Sequence, residues 1–191
     1  SLSLRPEGTA AIIRAYIENG FGASGGVTKL FYLGPMFRGE RPQKGRLRQF
    51  NQIGAEIIGT DDPYSDAELI LSLNTILEKT VKSGFKFLIN SLGCKKDRDK
   101  YKKDLSVFLE KGKEALCENC NRRMKTNVLR VLDCKNEACK EYVKDAPEIT
   151  GYLCKECEGD FLLLKSILEN EGVNFSQKKD FIVVLDAGHG G

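Results

Sequence analysis

Residues Leu30–Gly59 read LFYLGPMFRGERPQKGRLRQFNQIGAEIIG, and the rest of the chain is organised around them. Leu30 to Phe37 is apolar and aromatic, and Gln49 to Ile58 alternates. The stretch predicts a strand, a charged loop and a second strand. Between the strands stand Arg38, Arg41, Lys44, Arg46 and Arg48 against the single acid Glu40. Guanidinium groups meet phosphate oxygens through paired hydrogen bonds, so this loop suits a polyphosphate better than a protein core. A solvated hairpin is the alternative.

Side chains alternate faces along a strand. One face of the second strand is Phe50, Gln52, Gly54 and Glu56; the other is Asn51, Ile53, Ala55 and Ile57. The second face is mostly apolar and is expected to pack on a core. The first makes a poor core and a good pocket floor. Its ring can stack on a base, its glycine leaves room, and its amide and carboxylate can hold an amine. On the first strand Arg38 is in phase with Tyr32, Gly34 and Met36, so a second row is expected to line the same pocket.

The run GPMFRGERPQKGRLRQFNQIGAE resembles motif 2 of the class II aminoacyl-tRNA synthetases, in the form typical of the histidyl-tRNA synthetase family. LRPEGT near the start looks like that family's first histidine-binding segment. The resemblance implies an α+β fold: an antiparallel sheet flanked by helices, with a small insertion domain, which in this sequence reads as Cys-rich and helical. It implies ATP-dependent activation of histidine to histidyl-adenylate and transfer to tRNA(His), with ATP and Mg²⁺ required and a homodimer as the assembly. Carried over residue by residue, Arg38 looks like the catalytic arginine bridging the substrate carboxylate and the α-phosphate. Glu40 resembles the acid reading the adenine side, Arg46 the cation on the outer phosphates, and Phe50 the ring stacked on adenine. Glu7, Gly8, Thr9, Gln52 and Glu56, with Arg38, resemble the histidine-binding set.

Composition agrees with a globular chain. Of 191 residues, 41% are apolar and 30% charged, with net charge +3. No apolar run approaches the ~20 residues of a membrane helix. Seven cysteines, mostly in close pairs and without a signal peptide, point to the reducing cytoplasm and to metal rather than disulfides.

Along the chain, Thr9 is expected to cap a helix ending near Asn19, with Gly20 as its stop and Ile12, Ile13, Tyr16 and Ile17 as its stripe; for Glu7, beside the same free amide donors, plain capping is the alternative to substrate binding. Ser65 and Glu68 fit a capping box for a helix buried along Leu69, Leu73, Ile76 and Leu77, with Lys82 and Gly84 at its end. Phe85 to Asn90 predicts a strand. A boundary is expected near Leu92, dividing a catalytic core part (1–92) from an insertion (93–178) and a divergent tail (179–191). The insertion opens on a lysine-rich helix with a solvated face. A helix over Asp160–Gly172 and a strand over Val173–Ser176 follow.

The cysteine pairs are Cys117-x2-Cys120, Cys134-x4-Cys139 and Cys154-x2-Cys157. Zinc takes four thiolates in a tetrahedron, and a short-spaced pair supplies two from one turn. One structural zinc on Cys117 and Cys120 with two of the other four is expected; spacing does not choose which two. Cys94 is expected to be a lone buried thiol.

The resemblance breaks near the end. Leu185 and Asp186 fit the family's second arginine-bearing segment, but Val183 stands in the arginine's place, and Ala187 and Gly188 in the tyrosines'. Motifs 1 and 3 and the anticodon-binding domain have no counterpart in these residues, so the chain is expected to be incomplete for activity alone. IVVLDAGHGG resembles the first strand and loop of zinc-dependent N-acetylmuramoyl-L-alanine amidases, in which His189 would be a metal ligand. Two rivals follow: a non-catalytic, histidine-binding regulatory module, and the N-terminal part of such an amidase.

Overall fold

The computed structural model describes residues 4–23, 25–39, 47–81 and 85–177. Glu40, Arg41, Lys44 and Arg46 of the loop, the helix end at Lys82 and Gly84, and the FIVVLDAGHGG tail with His189 lie outside the described residues. The chain is α+β and divides into two compact units, one up to Leu69 and one from Ile70 onward.

The first unit opens on helix α1 (Thr9–Glu18). Its cap is Glu7 rather than Thr9. The two Glu7 carboxylate oxygens accept from the N–H groups of Thr9 (2.7 Å) and Ala10 (2.9 Å). A carboxylate there satisfies two free donors and places negative charge at the positive end of the helix, which a hydroxyl cannot do. Gly20, at φ +62°, ends the helix as expected. The stripe is half-buried at Ile12 and Tyr16, whereas Ile17 is 69% exposed.

Strands β1 (Thr28–Phe37) and β2 (Gln49–Ile58) form an antiparallel hairpin. Pairing Tyr32 with Gly54, Gly34 with Gln52 and Met36 with Phe50 puts both expected rows on one face. That face is the covered one. The opposite face, expected to pack on a core, is exposed at Phe31 (77%), Leu33 (70%) and Ile53 (55%). Alternation separates two faces but does not say which one the rest of the unit covers.

Helix α2 (Pro63–Thr80) follows. Asp62 caps it in place of the expected Ser65–Glu68 box: its Oδ1 accepts from Tyr64 N–H at 2.9 Å, with Pro63 in the first helical position, where its missing N–H costs nothing. Glu68 instead accepts from Lys29 Nζ of β1 at 2.6 Å. Ala67 and Ile70 are its buried residues, while Ile76 is 40% exposed.

The second unit holds β3 (Phe87–Ile89), helices α3 (Lys95–Lys111), α4 (Glu118–Thr126), α5 (Glu137–Val143) and α6 (Lys155–Asn170), and β4 (Phe175–Gln177). β3 and β4 pair in parallel, and all four helices lie between them in sequence. Asp97, Tyr101, Leu105 and Leu109 recur every fourth residue as the buried row of α3, leaving its lysines on the outer side. That row meets Leu116, Val128, Val131, Val143 and Ile149 in one core that also contains Cys120, Cys134 and Cys139. Phe108 and Tyr142 stack at 4.9 Å, and the Tyr142 hydroxyl donates to the Phe108 carbonyl at 2.8 Å. Helix α6 starts five residues before the expected Asp160, with Cys154 as its N-cap, so its first turn carries the last cysteine pair.

Leu105 is fully buried in this core. Leu105→Ala is expected to lower the unfolding free energy by about 2–5 kcal/mol in urea denaturation. A loss below about 1 kcal/mol would contradict the packing described.

Candidate functional site

The covered hairpin face becomes a site because the segment before α1 lies across it. Arg5 is tied to β1 twice: its carbonyl accepts from Phe37 N–H at 2.9 Å, and its Nε donates to the Pro35 carbonyl at 2.9 Å. Tyr32, projecting from β1, then meets that segment. A side chain at Gly8 would stand 2.1 Å from the Tyr32 ring, and one at Gly54 would stand 2.3 Å from it. Both positions therefore need glycine for lack of space. The room at Gly54, expected for a ligand, is taken by this ring.

Beyond the ring, the Thr9 hydroxyl donates to Glu56 Oε1 at 2.7 Å, joining the start of α1 to the far end of β2. Gln52 lies between Gly54 and Phe50 on the same face, and its side-chain Oε1 is buried without a hydrogen-bond partner among the described residues. An unpaired buried carbonyl costs roughly 1–3 kcal/mol, so such an atom points to a ligand donor.

The loop end of the face carries cationic chemistry. The Arg38 guanidinium lies over the Phe50 ring, 4.7 Å from its centroid. Its Nε donates to the Pro6 carbonyl at 3.2 Å, and its backbone N–H donates to the Arg48 carbonyl at 2.8 Å. Phe50 and Glu56 are six residues apart on one strand, about 20 Å at the usual rise. That length is too great for an amino acid alone and suits an amino acid beside a nucleotide.

The structure thus gathers Gly8, Thr9, Gln52 and Glu56 towards one end of the face and Arg38 and Phe50 at the other. Glu7 is at the site, but both its oxygens are engaged in capping. The Pro6 carbonyl that holds Arg38 had no signal in the sequence, because a backbone acceptor carries no residue signature.

The cysteines resolve into two clusters. Cys117, Cys120, Cys134 and Cys139 bring their sulfurs within 4.8 Å of one another. Cys117 is the N-cap of α4 and Cys120 lies in its first turn. Asn136 caps α5 by accepting from Ala138 N–H (3.0 Å) and Cys139 N–H (3.4 Å), which fixes the turn that presents Cys139. The Cys117 and Cys134 sulfurs are 3.8 Å apart, and Cys117 N–H donates to the Cys139 sulfur at 3.1 Å. A disulfide would need about 2.05 Å. A tetrahedron with metal–sulfur distances of about 2.3 Å has edges of roughly 3.8 Å. The backbone N–H of Cys120, aimed at the Cys117 sulfur, brings that thiol down to about 7, against the opposing effect of burial. Burial pushes the Cys120 and Cys139 thiols up. Cys117 thus ionises readily, whereas Cys120 and Cys139 need a cation to do so.

Cys154 and Cys157 do not join this group. They stand with Asp97 and with Cys94, which is half-buried and in company rather than a lone buried thiol.

Residues 1–92 match the family model described as histidyl-tRNA synthetase. The chain is 50% identical over 187 residues to a histidine–tRNA ligase of Nitratidesulfovibrio vulgaris, covering 97% of this chain and 45% of that protein. It is 48% identical over 185 residues to a histidine–tRNA ligase of Aquifex aeolicus, covering 97% and 46% respectively. The solved apo structure of S. aureus histidyl-tRNA synthetase matches with a TM-score of 0.72 at 33% identity, over 95% of this chain and 42% of that one. The chain spans less than half the length of these relatives.

Gly54→Ala is expected to drive the Tyr32 ring off the face and to cost about 1–3 kcal/mol in urea denaturation. Unchanged stability would show that the ring is not held between the two glycines.

Proposed function

We propose that this chain belongs to the histidyl-tRNA synthetase family, and that its hairpin face binds histidine and ATP and serves the ATP-dependent formation of histidyl-adenylate, which is then transferred to tRNA(His). The observation that carries the reading is the buried, unpaired Gln52 Oε1 on the same face as the Thr9–Glu56 pair and the Arg38–Phe50 pair.

The chemistry assigns roles to the face. An oxygen of the histidine carboxylate attacks the α-phosphorus of ATP, the bond from that phosphorus to the bridging oxygen breaks, and pyrophosphate leaves. Two anions must be brought together, and the reaction gains most from a fixed cation that aligns and neutralises them. Arg38 is that cation. Its guanidinium is steadied by Pro6 and by the Phe50 ring, so little rotamer freedom is left to lose. Phe50 offers the adenine a stacking surface beside it. Gln52 Oε1 accepts from the ammonium or imidazole of histidine, and Glu56, Thr9 and Gly8 close that end; Glu7 acts there through its cap on α1. The family resemblance assigns the outer phosphates to Arg46 and the adenine to Glu40. Mg²⁺, when bound, would neutralise the phosphate oxygens.

The Cys117, Cys120, Cys134 and Cys139 cluster is read as a structural zinc site. Its four sulfurs leave no open position, and three of them are buried in a small helical core. Seven cysteines gathered in metal-type clusters support a reducing cytoplasmic setting. Among the described residues no helix is long and apolar enough to cross a membrane. A homodimer is the assembly expected for the family.

Isothermal titration of the chain with histidine and with ATP tests the site. Gln52→Ala is expected to weaken histidine binding by about tenfold or more, about 1.4 kcal/mol, and Arg38→Ala to weaken ATP binding comparably, with circular dichroism unchanged. Wild-type affinities in both variants would contradict the assignment. Separately, stripping metal with a strong chelator is expected to lower the helical dichroism of the chain, because metal binding in such a unit is coupled to folding. Full helicity after complete zinc removal would contradict the structural role.

A further inference from the structure

We propose that Cys94, Asp97, Cys154 and Cys157 form a second zinc site, of three thiolates and one carboxylate, that fastens the first helix of the cysteine-rich unit to its last. The four ligand atoms lie within 4.8 Å of one another, on residues that are buried or half-buried. Zinc with sulfur at about 2.3 Å and oxygen at about 2.0–2.2 Å needs ligand separations of roughly 3.4–3.8 Å, so small side-chain adjustments close the site.

The local geometry repeats that of the first cluster. Cys94, Cys117 and Cys154 are each the N-cap of a helix, with extended backbone at φ/ψ −77/177°, −66/161° and −70/164°. Each is followed three residues later by a second ligand on the same helix: Asp97, Cys120 and Cys157. An N-cap residue and the residue three further on share one side of the first turn, so each motif presents two ligands together. In the first cluster such a pair meets Cys134 and Cys139. In the second, two such pairs meet each other, from the starts of α3 and α6. Thiolate donors select zinc over magnesium or calcium, and a carboxylate is an ordinary fourth ligand for it.

Asp97 sharpens the argument. It is 4% exposed and heads the apolar row of Tyr101, Leu105 and Leu109. A buried carboxylate needs a partner charge. Its neighbours here are N–H groups and thiols: Cys94 N–H donates to its Oδ2 at 3.2 Å, with the backbone of Cys154 and the thiols of Cys94 and Cys157 also against it. A capping box between Cys94 and Asp97 accounts for that pair alone. It does not account for two further sulfurs from α6 converging on it. The loop before Cys94 is shaped to the same point. Gly93 has φ +61°, and a side chain there would stand 2.8 Å from Asp97 and 2.9 Å from Leu153, so the chain passes tightly against both ligand segments.

The site lies at the root of the unit. Cys94 follows β3, and Cys154 opens the helix that leads into β4, which pairs with β3. A metal here closes the whole run of helices into a loop, and the four-thiolate cluster secures the middle of that loop. Closing a long loop removes chain entropy from the unfolded state.

Native mass spectrometry of the intact chain, purified without chelator, tests this. We expect two zinc ions per chain, one for each cluster. Cys134→Ser and Cys154→Ser should each lower the count by one. A wild-type count of one or none, or a count unchanged by Cys154→Ser, overturns the proposal. Should Cys154→Ser fail to fold, Asp97→Cys decides. It should keep two ions and release the second to a competing chelator more slowly than the wild type, because a thiolate replaces an oxygen. A single ion, or release no slower, overturns it. The readout involves neither histidine nor ATP, so its failure leaves the reading of the hairpin face untouched.

Discussion

The Tyr32 ring, held where side chains at Gly8 and Gly54 would otherwise stand, is the contact on which the candidate site depends. It lets a segment with little regular structure lie against a strand pair. Once there, that segment supplies the Pro6 carbonyl to Arg38 and the Thr9 hydroxyl to Glu56. Each of those hydrogen bonds has one charged partner and is worth about 1.5–3 kcal/mol net, less than the cost of ordering the several residues of the segment. Packing of an aromatic ring between two backbones gives them a fixed frame. The face then has a rigid end at Thr9 and Glu56, an unpaired acceptor at Gln52, and a positioned cation at Arg38.

Much of this was legible in the residues. The bounds of β2 and the face shared by Phe50, Gln52, Gly54 and Glu56 follow from alternation alone, and the registers with Tyr32, Gly34 and Met36 agree. What alternation could not say is which face is covered, and Phe31, Leu33 and Ile53 are exposed where a core was expected. Two helix caps fall on a different residue from the one favoured by sequence, for one reason. Glu7 and Asp62 precede Thr9 and Ser65, and either residue of each pair can accept from a first-turn N–H; only geometry shows which one does.

The cysteines divide along the same line. Spacing identified metal-type pairs, because a pair three residues apart is a local property. Which pairs meet is a tertiary property, so the choice of Cys134 and Cys139 as partners of Cys117 and Cys120 came only with the fold. Cys94 was missed because its helical partner is Asp97, and a C-x2-D sequence does not register as a metal pair. Two clusters in one small helical unit fit its physics. Its core is built around α3 and includes three cysteines of its own, so cross-links between helix starts add stability that apolar area alone supplies sparingly.

The central claim is that the hairpin face, and not another part of the chain, receives histidine. Backbone amide shift mapping on the 21.3 kDa chain tests it most directly. Titration with histidine is expected to move the signals of Thr9, Tyr32, Gln52, Gly54 and Glu56 together and to leave the helical unit from Lys95 to Asn170 unmoved. Shifts confined to that unit, or none on the hairpin at saturating histidine, would contradict it.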